Sequence, residues 1–285
     1  MAAHDIKTVA VLGAGAMGSG IAHVFARSGY TIVLRDVDPA ALDRSLSTIS
    51  ANLDREVKKE KIAAGEKPLI LARIKPATEI AALAAADLAI EAVPERFELK
   101  ARVLKEADAI LPAHAILASN TSSISITQLG DQTRRPDRFV GMHFMNPVPV
   151  MVLVEVIRGK KTSEETFSRT MALCETLGKS PVAVNDAPGF VSNRVLMPMI
   201  NEAAFAVMEG VATPQAIDAV MKLGMNHPMG PLELADFIGL DVCVDIMGVL
   251  ETGLGDAKYR ACPLLKQYVK EGKLGRKSGR GFYSY

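Results

Sequence analysis

The sequence predicts an α/β fold, in which a doubly wound sheet with helices on both faces is followed by an all-helical C-terminal domain. Three observations predict this fold. Short apolar runs alternate with stretches of helical periodicity up to about residue 184. A glycine-rich turn directly follows the first apolar run. Beyond residue 190 only helical periodicity remains, so we expect one domain over residues 1–184 and a second over residues 190–285.

The first strand and the turn after it form a candidate dinucleotide-binding motif. The apolar strand Thr8–Leu12 runs directly into GAGAMG, whose glycines have the spacing G-x-G-x-x-G. The first glycine permits a tight turn, the second lets a pyrophosphate approach the backbone, and the third lets the next helix pack closely on the strand. The amino terminus of that helix attracts an anion. The candidate cofactor-binding residues of this loop are Gly13, Ala14, Gly15, Ala16, Met17 and Gly18.

Asp36 follows the second predicted strand, residues 31–34, and completes a Rossmann-like unit. It lies close to the position, about 20 residues after the glycines, where an acidic residue binds the ribose hydroxyls of NAD. The neighbouring Arg35 leaves an NADP-preferring site open as an alternative, because an arginine there can accept the 2′-phosphate. Asp36 would repel that phosphate, so we expect NAD as the cofactor.

A long helix is predicted after Asp36, because large apolar residues between positions 42 and 57 recur every three or four residues. Its carboxyl half carries a basic cluster, Arg55, Lys58, Lys59 and Lys61. The cluster could meet an anionic part of a substrate, although charge runs are usually solvated helix faces. A strand over residues 87–93, a helix over about 95–111 and a strand over residues 115–119 continue the alternation.

A polar cluster, Asn120 to Ser123, directly follows the strand that ends at Ser119. In open α/β sheets, ligands bind at the carboxyl ends of the parallel strands. Ser122 or Ser123 could therefore present a hydroxyl to a substrate carbonyl, and the alternative is a Ser/Thr turn that caps the next helix. Because no G-x-S-x-G elbow surrounds either serine, acyl-enzyme chemistry is not expected.

His143 and Glu155 are the candidate catalytic pair. Each lies in an apolar run with the length and β-branched content of a strand, Phe139–Phe144 and residues 150–157, and a proline-rich turn joins the runs. A carboxylate buried there is costly unless it is paired. Imidazole is a suitable partner, because the carboxylate fixes its tautomer and stabilises its charged form. A packed histidine beside an edge-strand glutamate is the alternative.

Helices are predicted throughout the C-terminal part, after a connector at residues 184–189. The first covers residues 190–208 and carries Asn193 in its first turns, near the domain boundary, where ligand clefts are common. Asn193 could equally cap its own helix. Thr213 and Pro214 have the pattern of an N-cap and first helical residue, and Gly224 closes that helix. Further helices are predicted at residues 231 to about 250 and 263–270.

Composition and charge narrow the class of protein. Hydrophobic residues make up 49% and charged residues 23%, as in an ordinary globular protein, and the formal net charge is +1. Because the chain lacks a broad basic block, no nucleic-acid partner is expected. The apolar runs are too short to span a membrane and residues 1–9 lack a signal-peptide pattern, so we expect a cytoplasmic protein. Scattered cysteines favour free thiols and no metal site: Cys174, Cys243 and Cys262.

Five segments carry a resemblance to a known family: SNTSSISI from Ser119, HFMNPVPVMVLVEVI from His143, DAPGFVSNR from Asp186, NHPMGPLELAD from Asn226, and GRKSGRGFYSY from Gly275. Together with the glycine motif they resemble short-chain 3-hydroxyacyl-CoA dehydrogenases, in particular the bacterial 3-hydroxybutyryl-CoA dehydrogenase branch. The resemblance runs nearly end to end. It implies NAD as cofactor, a short-chain acyl-CoA substrate, and a homodimer whose contacts come from the helical domain.

The resemblance also implies roles for individual residues. His143 would be the general base and Glu155 would hold its ring, while Ser122 and Asn193 would surround the reacting oxygen and the thioester. Lys59 matches a family lysine that contacts CoA. Asn52 stands seven residues earlier, where some relatives have a serine, which puts that CoA contact in doubt. Cofactor contacts would come from the glycine loop, Asp36, Glu95, Lys100, Ser122, Asn146 and Lys277.

Two other functions stay open at this point. A β-hydroxyacid dehydrogenase that acts on free acids typically uses a lysine as proton carrier on a similar fold, and the pair His143 and Glu155 argues against it. A non-catalytic NAD-binding protein of the lens-crystallin kind would not need these residues. Comparing the turnover of a free hydroxyacid with that of its CoA thioester tests the β-hydroxyacid dehydrogenase alternative. A complete lack of thioester-dependent NADH oxidation would favour the non-catalytic NAD-binding protein.

Overall fold

The computed structural model describes residues 6–285. The chain divides into two compact units, the first ending at Asp186 and the second running from Ala187 to Tyr285. The expectation that residues 1–9 form no signal peptide falls partly on residues 1–5, which lie outside the described residues. Among the helices of residues 6–285, none has both the length and the apolar character that crossing a bilayer requires.

The first unit is built on one eight-stranded sheet with the order β3-β2-β1-β4-β5-β6-β7-β8. Neighbouring strands are parallel except for the pair β6 and β7, which is antiparallel. The strand order reverses between β1 and β4, and in such sheets the crevice at this point is where ligands bind. The strands are β1 Thr8–Leu12, β2 Thr31–Arg35, β3 Ile74–Ala77, β4 Leu88–Glu91, β5 Ile116–Ser119, β6 Phe139–Phe144, β7 Leu153–Arg158 and β8 Ser180–Asn185.

Six helices accompany this sheet in the described part of the first unit. Local sequence explains where two of them begin. Asp38 caps α2 by accepting a hydrogen bond from the Ala40 N–H, and Pro39 occupies the first helical position. Ser163 caps α6 through the Thr166 N–H. The helices are α1 Ala16–Arg27, α2 Pro39–Lys58, α3 Glu66–Ala72, α4 Phe97–Ile110, α5 Ile126–Gly130 and α6 Glu164–Thr176.

The core of the first unit lies around the central strands. Residues 9–12 of β1 and the whole of β4, β5 and β6 are buried, because helices cover both faces of the sheet. Helix α1 presses Ile21 and Phe25, both fully buried, onto this core. Burial of each such side chain contributes about 1.5–3 kcal/mol. The rigid centre therefore fixes the loops that leave the carboxyl ends of these strands.

The second unit is helical, as predicted, and so the predicted fold class is confirmed for both units. The expected cap is present, because the Thr213 hydroxyl accepts a hydrogen bond from the Ala216 N–H and Pro214 begins the helix. Leu232, Leu240 and Leu250 lie in its separate core. The helices are α7 Ser192–Met208, α8 Pro214–Gly224, α9 Pro231–Ile238, α10 Leu240–Leu254 and α11 Pro263–Lys270.

Two predicted element boundaries were wrong. The single helix expected over 231 to about 250 is broken at Gly239, whose φ of 109° lies outside the helical region. The strand expected from residue 150 begins at Leu153, because the N–H groups of Val150 and Met151 both turn back to the Pro147 carbonyl. Each difference reflects a local turn inside an apolar run, which hydrophobic periodicity does not detect.

Several peripheral elements of the first unit were not predicted, among them β3, β8, α3 and α6. Strands β3 and β8 lie at the two edges of the sheet, where side chains such as Lys75 and Val182 are exposed and apolar patterning is weak. Helix α6 begins with Glu164 and Glu165, and it buries only part of one face. Sequence periodicity is strongest for central strands, so these peripheral elements carry little signal.

Candidate active site

A cleft of about 1120 Å³ opens at the carboxyl edge of the sheet in the first unit. Its walls are formed by the loops after β1, β2, β4, β5 and β6 and by one face of α4. Polar residues in these walls include several of the predicted site residues: Asp36, Glu95, Lys100, Ser122, His143 and Asn146. The cleft therefore lies at the place where the strand order predicts a ligand.

The glycine loop has the geometry that a dinucleotide requires. Gly13 has a φ of 106°, and a Cβ there would lie 2.7 Å from the Ala92 carbonyl oxygen. A Cβ on Gly18 would lie 1.8 Å from the Gly13 carbonyl oxygen, so the helix can approach the strand only with glycine here. At Gly15 a Cβ would meet open space, and Gly15 lines the cleft. A pyrophosphate can thus reach this backbone at the amino terminus of α1, where helix N–H groups favour an anion.

Asp36 joins the end of β2 to the glycine loop. Its Oδ2 accepts a hydrogen bond from the Ala14 N–H at 2.7 Å, and its Oδ1 accepts from the Asp38 N–H at 3.0 Å. The neighbouring Arg35 donates its Nε–H to the Thr78 carbonyl at 3.1 Å. Both side chains line the cleft, so a negative and a positive charge lie together at this end.

His143 and Glu155 meet across the antiparallel strands β6 and β7. They are direct partners in the register, and His143 Nδ1 lies 2.8 Å from Glu155 Oε2. Their residues are 8% and 2% exposed, so this pair has little water around it. His143 also lines the cleft. The structure therefore brings the predicted pair together, with the imidazole at the cleft wall and the carboxylate behind it.

Asn120 ties the strand of Ser122 to the strand of His143. Its Oδ1 accepts a hydrogen bond from the Phe144 N–H at 2.9 Å, which joins the residue after β5 to the last residue of β6. Asn120 is 9% exposed and lines the cleft. Sequence reasoning noted its position after β5 and gave it no role, because the partner amide is on another strand.

Ser122 lies in a tight turn that is organised by Glu95. One carboxylate oxygen of Glu95, Oε1, accepts hydrogen bonds from the Ser122 N–H at 2.9 Å and the Ser123 N–H at 3.1 Å. It also accepts from the Thr121 hydroxyl. On its other oxygen, Oε2, Glu95 is paired with the buried Lys100 at 3.1 Å. Although burial opposes the shift, the Lys100 charge and these hydrogen bonds hold the pKa of Glu95 below its ordinary value.

Asn146 lies in the loop between β6 and β7, and a buried lysine holds that loop. Lys179 donates from Nζ to the carbonyl of Val148 and, at 2.7 Å, to the carbonyl of Met151. Val148 packs onto α1 at Gly20, where a Cβ would come within 2.8 Å of the valine Cβ. Burial lowers the pKa of Lys179. Sequence reasoning missed this lysine, since nothing near it in the sequence indicates the carbonyls that it binds.

Asn52 and Lys59 lie apart from the cleft walls, at the carboxyl end of α2. Lys59 is exposed and directly follows the last residue of the helix. Asn52 Oδ1 accepts a hydrogen bond from Arg55 Nη1 at 2.6 Å. Neither side chain lines the cleft, so the structure does not gather these two with the residues around His143.

Asn193 and Lys277 belong to the second unit. Asn193 is 8% exposed in the first turn of α7, and its N–H donates to the Gly189 carbonyl at 3.1 Å. Lys277 pairs with Asp241 at 2.6 Å, in the first turn of α10.

The chain segment that carries Lys277 is anchored by a buried carboxylate, Asp236, which is 1% exposed. Asp236 accepts hydrogen bonds at 2.9 Å from the N–H groups of Phe282 and Tyr283. Gly281 packs directly against it, since a Cβ there would lie 2.0 Å from Asp236 Oδ1. Burial raises the pKa of Asp236 in spite of these hydrogen bonds. The anchor was not found from the sequence.

Comparison with known proteins agrees with this geometry. Residues 8–187 match the family model for the NAD binding domain of 3-hydroxyacyl-CoA dehydrogenase, and residues 189–285 match the model for its C-terminal domain. A probable 3-hydroxybutyryl-CoA dehydrogenase of Bacillus subtilis is 57% identical over 281 residues, which cover 99% of this chain and 98% of the relative. A 3-hydroxybutyryl-CoA dehydrogenase of Bradyrhizobium diazoefficiens is 53% identical over 280 residues, 98% of this chain and 96% of that one.

Comparison with a solved structure also finds similarity to a 3-hydroxybutyryl-CoA dehydrogenase. The crystal structure of (S)-3-hydroxybutyryl-CoA dehydrogenase from Ralstonia eutropha is 51% identical, covers 98% of this chain and 99% of its own, and superposes with a TM-score of 0.96. The predicted family and branch, the enzyme class and the cofactor NAD are thereby confirmed. With both halves matched and a cleft shaped for a dinucleotide, the chain belongs to the 3-hydroxyacyl-CoA dehydrogenase family.

Proposed function

We propose that this chain interconverts short 3-hydroxyacyl-CoA and 3-ketoacyl-CoA thioesters with NAD, and that 3-hydroxybutyryl-CoA and acetoacetyl-CoA are its substrate pair. One observation carries the proposal: His143, paired with the buried Glu155 behind it, lines the same cleft as the glycine loop. A proton carrier and a dinucleotide site in one cleft are the requirements of an alcohol–ketone interconversion. The choice of a four-carbon acyl group is supported by the names of the relatives.

The proton is carried by His143 in this mechanism. Because Nδ1 is engaged by Glu155, Nε2 is the atom that accepts the proton of the substrate 3-hydroxyl. The chemistry that bound NAD supplies is acceptance of the hydride from C3 at its nicotinamide ring. Glu155 stabilises the imidazolium that forms, in a site that is almost closed to water. In reduction the imidazolium returns its proton to the oxygen, so we expect the pH optimum of reduction to be lower.

Further roles belong to the same proposal. Ser122, at the cleft wall with His143, would contact the reacting oxygen and the nicotinamide. Asn193 would contact the thioester, and Lys277 would contact NAD. Glu95 and Asn146 would contact NAD from the first unit. The support for these roles is the family resemblance at each position, together with the cleft location of Ser122, Glu95 and Asn146.

The CoA group would be held by the basic end of α2. Lys59 lies beside Lys58 and Lys61 in this exposed segment, and an ammonium group pairs well with the phosphates of the CoA nucleotide. Asn52 is a weaker candidate, because its amide oxygen is already bonded to Arg55.

We also propose a homodimer that forms through the second unit. Within the described helix α8, Asp218 is the one buried residue, while Val220 is 60% and Leu223 is 88% exposed. Met225, next in the chain, is 61% exposed. Clustered exposed apolar side chains of this kind mark protein interfaces. Sedimentation of wild type and Leu223→Glu tests this, since a dimer that dissociates in the variant supports it and a monomeric wild type refutes it.

The location of the protein in the cell is a proposal as well. Cys174, Cys243 and Cys262 are free thiols, and burial raises the pKa of the first two to about 12. Free thiols fit a reducing compartment such as the cytoplasm.

The decisive experiment is a steady-state survey of NADH oxidation with 3-ketoacyl-CoA thioesters of increasing chain length. We expect acetoacetyl-CoA to give the highest kcat/KM and free acetoacetate to give almost none. Equal turnover of the free acid would favour a β-hydroxyacid dehydrogenase. An absence of thioester-dependent NADH oxidation in protein that binds NADH would favour a non-catalytic NAD-binding protein.

A further inference from the structure

Glu91, the last residue of β4, is a fully buried carboxylate behind the cleft. It does not line the cleft. Its Oε1 lies 2.7 Å from Lys100 Nζ and accepts the Val93 N–H at 2.7 Å, while its Oε2 accepts the Ser119 hydroxyl at 2.6 Å. A buried charge of this kind is costly, and apolar residues of similar volume usually stabilise a core as well or better. The carboxylate therefore calls for an explanation other than stability.

Lys100 uses all its donors inside the protein. An ammonium group has three N–H donors. Those of Lys100 face Glu91 Oε1 at 2.7 Å, the Val93 carbonyl at 3.0 Å and Glu95 Oε2 at 3.1 Å. The residue is 1% exposed, although it borders the cleft. It would have to give up one of these partners to bind a ligand directly, and in this structure it holds Glu95 in place.

Glu95 in turn holds the turn that carries Ser122. Its side chain is 37% exposed and lines the cleft, and Oε2 is fixed by Lys100. That leaves Oε1 to gather the backbone N–H groups of Ser122 and Ser123 and the hydroxyl of Thr121. A movement of the Glu95 carboxylate would therefore shift the Ser122 hydroxyl in the cleft.

We propose that Glu91 is a positioning residue for the NAD-linked reaction, because it fixes Lys100, which fixes Glu95, which fixes the turn of Ser122. The part that concerns turnover rests on the proposed function, in which Ser122 contacts the reacting groups. The part that concerns NADH binding rests on the cleft alone.

The test is a double-mutant cycle with Glu91→Gln, Lys100→Met and the double variant. The matched control is Asp108→Asn, because Asp108 is also a buried carboxylate on an ion-pair network, at the other end of the helix that carries Lys100. For each protein the dissociation constant for NADH is measured by fluorescence titration, and kcat, KM and Tm are measured with acetoacetyl-CoA. If Glu91→Gln alone does not fold, Glu91→Asp, which keeps the carboxylate and shortens the side chain, takes its place in the cycle.

We expect Glu91→Gln to lower kcat and to weaken NADH binding by about 10-fold, because small displacements of positioned groups are costly. In the Lys100→Met background the same substitution should change kcat and the NADH dissociation constant less than about 2-fold, since the lysine that links Glu91 to Glu95 is already absent. Asp108→Asn should lower Tm and leave both values within about 2-fold. Equal effects of Glu91→Gln in the two backgrounds, or a Glu91→Gln profile like that of the control, would overturn the proposal. If wild type binds NADH and does not turn over the thioester, the proposed function fails while the NADH titrations still decide this inference.

Discussion

His143 and Glu155 are opposite residues of an antiparallel strand pair, and this register places the imidazole Nδ1 2.8 Å from the carboxylate. Two buried strands hold the backbone of each residue, so the contact does not depend on a mobile loop. The pair is also nearly closed to water, which strengthens the attraction between a carboxylate and an imidazolium. The geometry therefore suits a histidine that gains and loses a proton during turnover.

Replacement of Glu155 by glutamine should reduce activity without abolishing it. The amide oxygen of Glu155→Gln can still accept the Nδ1–H bond, whereas the stabilisation of the imidazolium is lost. We expect kcat to fall about 10- to 100-fold, with a changed dependence of kcat on pH. Glu164→Gln is the control, because Glu164 is an exposed carboxylate paired with Arg158 at the end of the same strand. A Glu155→Gln profile that matches the control at every pH would contradict the role of the pair.

Substitution of Asp36 should weaken the preference for NAD. In Asp36→Asn the repulsion of a 2′-phosphate is removed, while the guanidinium of Arg35, which lines the same cleft, is kept. We expect the ratio of NADH to NADPH affinity to fall by about 10-fold or more, which is the change in affinity that one charge-assisted contact produces. Titration of both cofactors against wild type and Asp36→Asn measures this ratio, with Asp43→Asn, at an exposed residue of α2, as control. A wild type that prefers NADPH would show that Arg35 dominates.

Much of the first unit could be predicted from the sequence, because neighbouring residues in the chain specify its strands, turns and helices. The run from β1 through the glycines to Asp36 specifies strand, turn, helix and strand in continuous order. The meeting of His143 and Glu155 was also accessible, since two apolar runs joined by a short turn bring their residues together.

Contacts between residues on different elements could not be predicted. Glu91 and Lys100 are nine positions apart on a strand and a helix, and nothing in the strand sequence shows that its glutamate is paired. Lys179 binds carbonyls 31 and 28 positions away, which no side-chain pattern encodes. Gly239 interrupts a continuous helical pattern through its backbone angle alone. In each case the deciding interaction exists only after the chain has folded.

The role of Lys59 predicts how the enzyme discriminates between thioesters. Wild type should lose much of its kcat/KM when acetoacetyl-CoA is replaced by a truncated thioester without the nucleotide, because remote binding energy orients the reacting carbonyl. Lys59→Ala should discriminate less between the two. The exposed Lys75→Ala, on the edge strand β3, is the matched control and should behave as wild type. Equal discrimination by Lys59→Ala and wild type would mean that this helix end does not hold CoA.

The buried His23 predicts how the stability of the fold depends on pH. It is fully buried on α1, its Nε2 lies 3.5 Å from Glu56, and neither ring nitrogen has a hydrogen-bond partner among the described residues. Burial lowers its pKa below the ordinary 6.5; Glu56 opposes this shift, and Arg27 and Lys179 add to it. Below pH 6.5 the unfolded chain therefore binds a proton that the folded chain refuses.

The free energy of unfolding should accordingly fall as the pH drops through 6.5, by at most about 1.4 kcal/mol per pH unit from this group. Urea unfolding of wild type and His23→Gln from about pH 7.5 to about pH 5.5 measures how steeply the free energy of unfolding of each protein changes with pH. His227→Gln, at a partly buried histidine in the loop before α9, is the control for the substitution itself. A His23→Gln slope equal to that of wild type would show that other groups cause the pH dependence.

The most direct measurement of the central claim is the rate of acetoacetyl-CoA-dependent NADH oxidation by His143→Ala, together with its affinity for NADH. If His143 carries the proton, kcat should fall by about 10² to 10⁴, the usual contribution of general acid–base catalysis, while the dissociation constant for NADH changes little. His114→Ala, at a histidine whose side chain is 61% exposed, should retain wild-type activity. Turnover by His143→Ala within a few-fold of wild type would contradict the account, because another group would then have to carry the proton.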